Sequence, residues 1–303
     1  MRIRASLGVA QYDLPRTGFG TNISRGETFI GQTPDSISGL QFGLSVDVPL
    51  NDGKLQFGVR ASDADGSDTA FVPAEGDDVG IVFDQGLNTP SSPTPITGVN
   101  LGPTGATVES DLSHEQIAAF ARWYTPMGVG DAQTFIGLKF SHSETEHRSG
   151  YISQFISDLV GAEAKARLFD TVLGPEFGVE TTVPISRTIE IEAGASASAL
   201  FRQTDLENTF SFNCAFCPPE GQALQNRIDL SDNGWTAGLS AHLGMTYELT
   251  GGQKIGLRAT ADYLDQIGKV ENQSSGDAIL EGRGTSLSED SALKIGVESS
   301  ITF

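Results

Sequence analysis

Trp235-Thr236-Ala237-Gly238-Leu239-Ser240-Ala241-His242-Leu243-Gly244-Met245-Thr246-Tyr247 is the stretch on which the fold turns. Every odd position is apolar, and every even one is small, polar or ionisable. Side chains of a strand point to opposite faces in alternation, so a strand here offers one unbroken apolar face. Beyond a Thr250-Gly251-Gly252 turn, Ile255, Leu257, Ala259, Ala261 and Tyr263 repeat the pattern, which makes a long hairpin. Each arm has about the 9–11 residues that a tilted strand needs to cross a bilayer.

The same rows occur along the whole chain. Towards the C-terminus, Leu293, Ile295, Val297, Ser299, Ile301 and Phe303 share one parity, with Lys294, Gly296, Glu298, Ser300 and Thr302 on the other. Towards the N-terminus come Ile189–Phe201, Leu173–Val183, Ile136–Phe140, Leu55–Ala61, Leu40–Val48 and Ile3–Val9. In 116–124, a lumenal Arg122 sends Trp123 to the lipid and turns Phe120 and Tyr124 inward. Connections alternate without exception between long ones (10–38, 62–114, 143–170, 202–233, 264–290) and short turns (49–54, 125–133, 184–188, 249–253). This is the long-loop, short-turn signature of an outer-membrane barrel. The predicted fold is therefore all-β: one antiparallel transmembrane barrel over 1–303, of about ten strands, with eight or twelve as alternatives.

A soluble sandwich also alternates in period two, but it seldom keeps strands this long or separates turns from loops so strictly. No fixed-period repeat supports a solenoid. No run approaches ~18 apolar residues, so no helical span is expected. Met1–Val9 is too short and too alternating for a secretory core, and removal of an upstream signal peptide is expected. A formal charge of −20, from 39 acidic and 19 basic residues, excludes a basic nucleic-acid surface. It fits a cell-surface protein.

The terminal Phe303, with apolar residues at every second position before it, resembles the signal read by the barrel-assembly machinery of Gram-negative outer membranes. More loosely, Leu173-Gly174-Pro175-Glu176-Phe177-Gly178 leading to Val183-Pro184 resembles a strand-turn pattern of Legionella-type pore-forming major outer-membrane proteins. These resemblances imply the cell outer membrane as location and a porin-like activity. The implied partners are outer-membrane lipid, lipopolysaccharide and the assembly machinery, and an oligomer stays open.

Parity assigns the lumen-lining residues. Basic candidates are Arg2, Arg4, Arg60, Arg122, Lys139, Arg258 and Lys294; acidic ones are Asp47, Glu176, Glu180, Glu190, Glu192, Asp262 and Glu298. The acidic residues of the sixth and seventh strands face a mainly basic wall. Ten strands lie near the closed limit of barrel size, so opposed charges either plug the lumen or line a narrow pore.

Four segments outside these rows carry possible chemistry. Cys214-Ala215-Phe216-Cys217 has no second pair and no nearby His, so a local disulfide is expected rather than zinc or redox work. Asp63, Asp65 and Asp68 are the calcium candidate, with Glu75, Asp77 and Asp78 as further donors, although the EF-hand spacing fails; otherwise no cofactor is expected. His142, Glu144, Glu146 and His147 sit at a strand exit, with the two histidines on opposite faces. Residues 152–169 place Ile152, Phe155, Ile156, Leu159, Val160 and Leu168 near helical spacing, predicting a short amphipathic helix within the 143–170 loop.

The leading expected function is a narrow passive channel for small solutes or ions. The alternative is a structural, adhesive or assembly protein whose plugged barrel anchors large surface loops. A rim protease on a ten-strand barrel would need an Asp–His pair facing a second acidic pair. Asp63 and Asp65 are present without such a partner, and no enzyme is expected.

Overall fold

The computed structural model describes residues 1–22, 28–72, 80–82, 99–100, 106–128, 131–153, 160–214, 223–271 and 285–303. Ten strands close into one antiparallel barrel. They are β1 (Arg2–Asp13), β4 (Ser36–Leu50), β5 (Gly53–Val72), β8 (Ala106–Pro126), β9 (Gln133–Ser153), β10 (Val160–Pro184), β11 (Ile189–Cys214), β12 (Ala223–Glu248), β13 (Lys254–Glu271) and β14 (Ser286–Thr302). Each pairs with its neighbours in the chain, and β1 meets both β4 and β14 to close the ring. Four short strands, β2 (Gly18–Asn22), β3 (Thr28–Gln32), β6 (Gly80–Val82) and β7 (Val99–Asn100), make a small sheet from the first two long connections.

Polarity is inverted relative to a soluble protein. Glu176 is 1% exposed and the adjacent Phe177 is 63% exposed. Trp235, Leu239, Leu243 and Met245 are likewise exposed on β12, whose opposite face is small and polar. An apolar belt of this extent on a wall with a charged interior is a lipid-facing surface. Trp235 stacks edge-on against Phe201 with ring centroids 5.9 Å apart, marking the outer boundary. From Trp235 to Tyr247 on the same strand, a tilt of ~45° gives a belt about 28 Å tall, close to the usual band. At the turn end, the backbones of Ile3 and Phe303 bond reciprocally (N to O 3.2 and 2.9 Å), sealing the seam where the termini meet. Positive φ at Gly251 (116°) and Gly252 (84°) makes the tight β12–β13 turn, a region of φ that L side chains rarely adopt.

The long connections differ from the sequence expectation, because most of them are strand. β11 and β12 each run 26 residues, more than twice what a bilayer needs, and so stand well clear of it. The helix expected within 143–170 is corrected: β9 continues to Ser153 and β10 begins at Val160, with 154–159 outside the described residues. Ala164, Ala166 and Leu168 point inward in period two while Glu163, Lys165 and Arg167 point out, so helical spacing was a coincidence of two strand ends. No helix occurs among the described residues.

The protruding half is filled from within. Ala10, Tyr12, Leu14, Ile37, Ala64 and Leu112 form one buried cluster, and Ala166, Leu168, Leu206 and Val270 form another. The second joins β10, β11 and β13 across the interior, because β13 pairs with β12 only up to Gly238 and Leu264. Above a register shift between Leu264 and Ile267, β13 leans inward, and the Gly268 N–H donates to Asp170 Oδ1 at 3.4 Å. A Cβ at Gly268 would lie 2.4 Å from Thr204 Cγ2, so the approach requires glycine.

Candidate functional site: the charged lumen

Even residues on β10 to β14 and on β1, β5 and β8 face the lumen, as do odd residues on β4 and β9, because their neighbours must face lipid. Within this tube the structure joins most of the charged residues in pairs. Arg122 on β8 donates to both carboxylate oxygens of Glu176 on β10, at 2.8 and 2.9 Å, and Ser196 adds a third donor at 2.8 Å. Glu192 on β11 holds Arg258 at 2.7 Å and reaches across the barrel to Arg4 on β1 at 3.3 Å. Arg60 meets Glu298 at 3.6 Å, and Ser6 donates to the same carboxylate at 3.1 Å.

Nearer the turns, Lys254 binds Glu190 at 2.5 Å, and Asp47 receives Gln56 at 2.9 Å with Lys54 at 3.9 Å. Glu180 accepts from the Tyr124 hydroxyl at 2.9 Å. Arg2 lies exposed opposite Asp47 in the β1–β4 register. Asp262 is surrounded by Lys139, Arg60 and Lys294. Lys294 donates to Gln116 at 3.3 Å and lies over the Tyr12 ring, 5.0 Å from its centroid.

Lys54, Lys254, Gln56, Tyr12 and Ser196 were missed in the sequence as members of this network. Lys54 and Lys254 are the first inward positions after a turn, so parity extended by one residue finds them. Ser196 falls on the lumenal parity of the Ile189–Phe201 row, but nothing in the sequence ties it to Glu176.

Charge at a carboxylate that is 1% exposed, like Glu176, is tolerated only when paired and hydrogen-bonded. Arg60 and Arg122 both line three spaces of about 110, 30 and 40 Å³.

Asp63, Asp65 and Asp68 lie on β5 rather than in a loop. Period two puts Asp63 and Asp65 on the outer face and Asp68 on the opposite parity, where it accepts from the Thr69 N–H at 2.8 Å. The three therefore do not converge, and among the described residues no group of three or more His, Cys, Asp or Glu does so. Glu75, Asp77, Asp78 and Cys217 lie outside the described residues, and Cys214 ends β11.

Above the belt, His114 Nδ1 bonds Thr145 at 2.8 Å and its ring packs 4.7 Å from Tyr12, while His142 bonds Thr171 at 2.9 Å. Burial holds the His114 imidazole down to about 3, helped by Lys294 and His147, and burial alone holds His147 to about 4.

No family model matches the chain, and no curated protein does. Among solved structures, the chain is similar to the outer membrane protease OmpT of Escherichia coli at 9% identity and TM-score 0.46, covering 100% of this chain and 96% of that one. It is also similar to a Pseudomonas aeruginosa FadL homologue (9% identity, TM-score 0.23, 99% and 89% covered). A third is the Pseudomonas putida toluene transporter TodX (8%, TM-score 0.22, 99% and 89%).

Proposed function

We propose that this protein is an outer-membrane barrel whose lumen is closed by paired charges and which anchors a β extension at the cell surface. The observation that carries the proposal is the Arg122–Glu176 fork, which with Arg4–Glu192–Arg258 spans the lumen at mid-height. An open pore would leave such side chains solvated, and the pairs would contribute little. The apolar clusters above them close the outer end a second time. This reading assigns no catalytic group: His114 and His142 are each hydrogen-bonded to a threonine hydroxyl. Liposome swelling tests it: pentose-sized sugars should enter protein-loaded vesicles no faster than empty ones. Swelling that scales with protein content would overturn it.

A narrow ion passage of the porin kind is the second reading. It is favoured by one feature, the three spaces that meet at Arg60 and Arg122, whose guanidinium groups would then form the gate.

A further inference from the structure

The largest of the three spaces has two unlike walls. It lies between the lumenal charge pairs and the apolar cluster above them, and encloses about 110 Å³. One wall is apolar, formed by Leu14, Val172, Leu264 and Ile267. The other carries Arg60, Lys139 and Lys294 beside Asp262. Arg60 is met by Glu298. Among the described residues, neither Lys139 nor Lys294 forms an ion pair, so both share Asp262 at longer range. Arg122, which also borders the space, is taken up by Glu176, so Lys139 and Lys294 are two ammonium groups that share one carboxylate, Asp262. A further carboxylate at the edge, Asp170, is engaged by the Thr204 hydroxyl and the Gly268 N–H and lies near Arg202, which is itself paired with Asp232 and Glu289.

A charge left uncompensated in a nearly closed space calls for a counter-ion. Beside an apolar wall, the counter-ion that satisfies both surfaces has an anionic head and a hydrocarbon body. Size limits it further: at about 110 Å³ the space is smaller than the apolar cavity of ~150 Å³ that admits benzene, so the body is a short alkyl chain rather than a ring. We propose that this space binds a small organic monocarboxylate, its carboxylate between Lys139 and Lys294 and its body against Leu14, Val172 and Leu264. Lys294 is already held over Tyr12 and by Gln116, so its ammonium group is positioned before any ligand arrives. The site requires no through-passage and does not depend on whether the barrel conducts.

Equilibrium dialysis of the full-length barrel in a non-ionic detergent tests this with propionate as probe. 1-Propanol supplies the body without the charge, and inorganic sulfate the charge without the body. Propionate should bind saturably with a dissociation constant of about 1 mM or tighter. 1-Propanol and sulfate should each bind at least about tenfold more weakly, since a bond to a charged group is worth that much. The double change K139Q/K294Q should weaken propionate at least about tenfold, while Lys165→Gln, remote from the space, should leave it unchanged. The wild-type comparison of three probes decides the matter even if the double variant fails to fold. No saturable propionate binding, sulfate or 1-propanol bound as tightly as propionate, or a folded double variant that binds propionate normally would each overturn the proposal.

Discussion

At the residue scale, stability in the tube rests on which charges lose their partners. Glu176 is nearly inaccessible and satisfies both the Arg122 guanidinium and Ser196. Glu176→Gln keeps the shape but leaves Arg122 without its carboxylate, and should cost about 3 kcal/mol or more, less whatever lumenal water returns. Glu190→Gln removes a pair whose carboxylate side chain is 34% exposed, and should cost well under half of that. Urea unfolding followed by heat-modifiability on gels checks the order; equal losses would show that the fork is solvated.

The two buried histidines add a pH dependence. Their folded pKa values, about 3 for His114 and about 4 for His147, lie below the ordinary 6.5. Between those values the unfolded chain binds more protons, so stability is complete above pH 6.5 and is lost as pH falls towards 4. The slope is about 1.4 kcal/mol per pH unit for each histidine. Urea midpoints at pH 7.5 and 5 should therefore fall more for wild type than for His114→Gln/His147→Gln. An equal fall would place the acid sensitivity in the carboxylates instead.

At the scale of the element, each strand changes environment along its length while keeping its parity. On β11, Ala197 and Gln203 share the outer face, but Ala197 lies opposite Phe177 and Leu239 within the belt. Ala197→Arg should cost about 2–4 kcal/mol near the midplane, and Gln203→Arg, beyond the Phe201–Trp235 boundary, close to nothing. Similar costs at both sites would move the membrane boundary outward. At the closing seam, Phe303 contributes two backbone bonds to Ile3 and an exposed ring. Deleting it should lower the amount inserted in cells while refolded protein keeps its β spectrum; undiminished insertion would contradict an assembly role.

The elements were legible in the sequence to the extent that lipid imposed a pattern. Trp235–Tyr247 and its partners stand out because hydrocarbon forces every outward side chain to be apolar. Above the belt the outward rows become polar, as at Asp63, Asp65, Glu163 and Lys165, and the contrast that marks a strand disappears. The protruding halves therefore passed for loops. In 160–169 an interior built of Ala164, Ala166 and Leu168 further imitated a helix-favouring composition. Lumenal charges could be listed by parity, but not paired. Pairing depends on the height of each residue, which the strand stagger sets, so nothing in the sequence ties Glu192 to Arg4 rather than to another cation.

For the whole molecule, the proposed reading sets two closures in series. Charge pairs block the tube within the membrane, and inward-leaning β13 with its apolar contacts fills the part outside. On that reading the protein works through what it holds above the membrane rather than through what it lets pass. Single-channel recording in planar bilayers tests this most directly. Wild type should show no steady conductance above the lipid baseline, whereas Arg60→Ala/Arg122→Ala/Glu176→Ala/Glu298→Ala, which removes two of the pairs together, should open stepwise current. A steady conductance from the wild-type barrel, unchanged when those four side chains are removed, would contradict a lumen closed by paired charges.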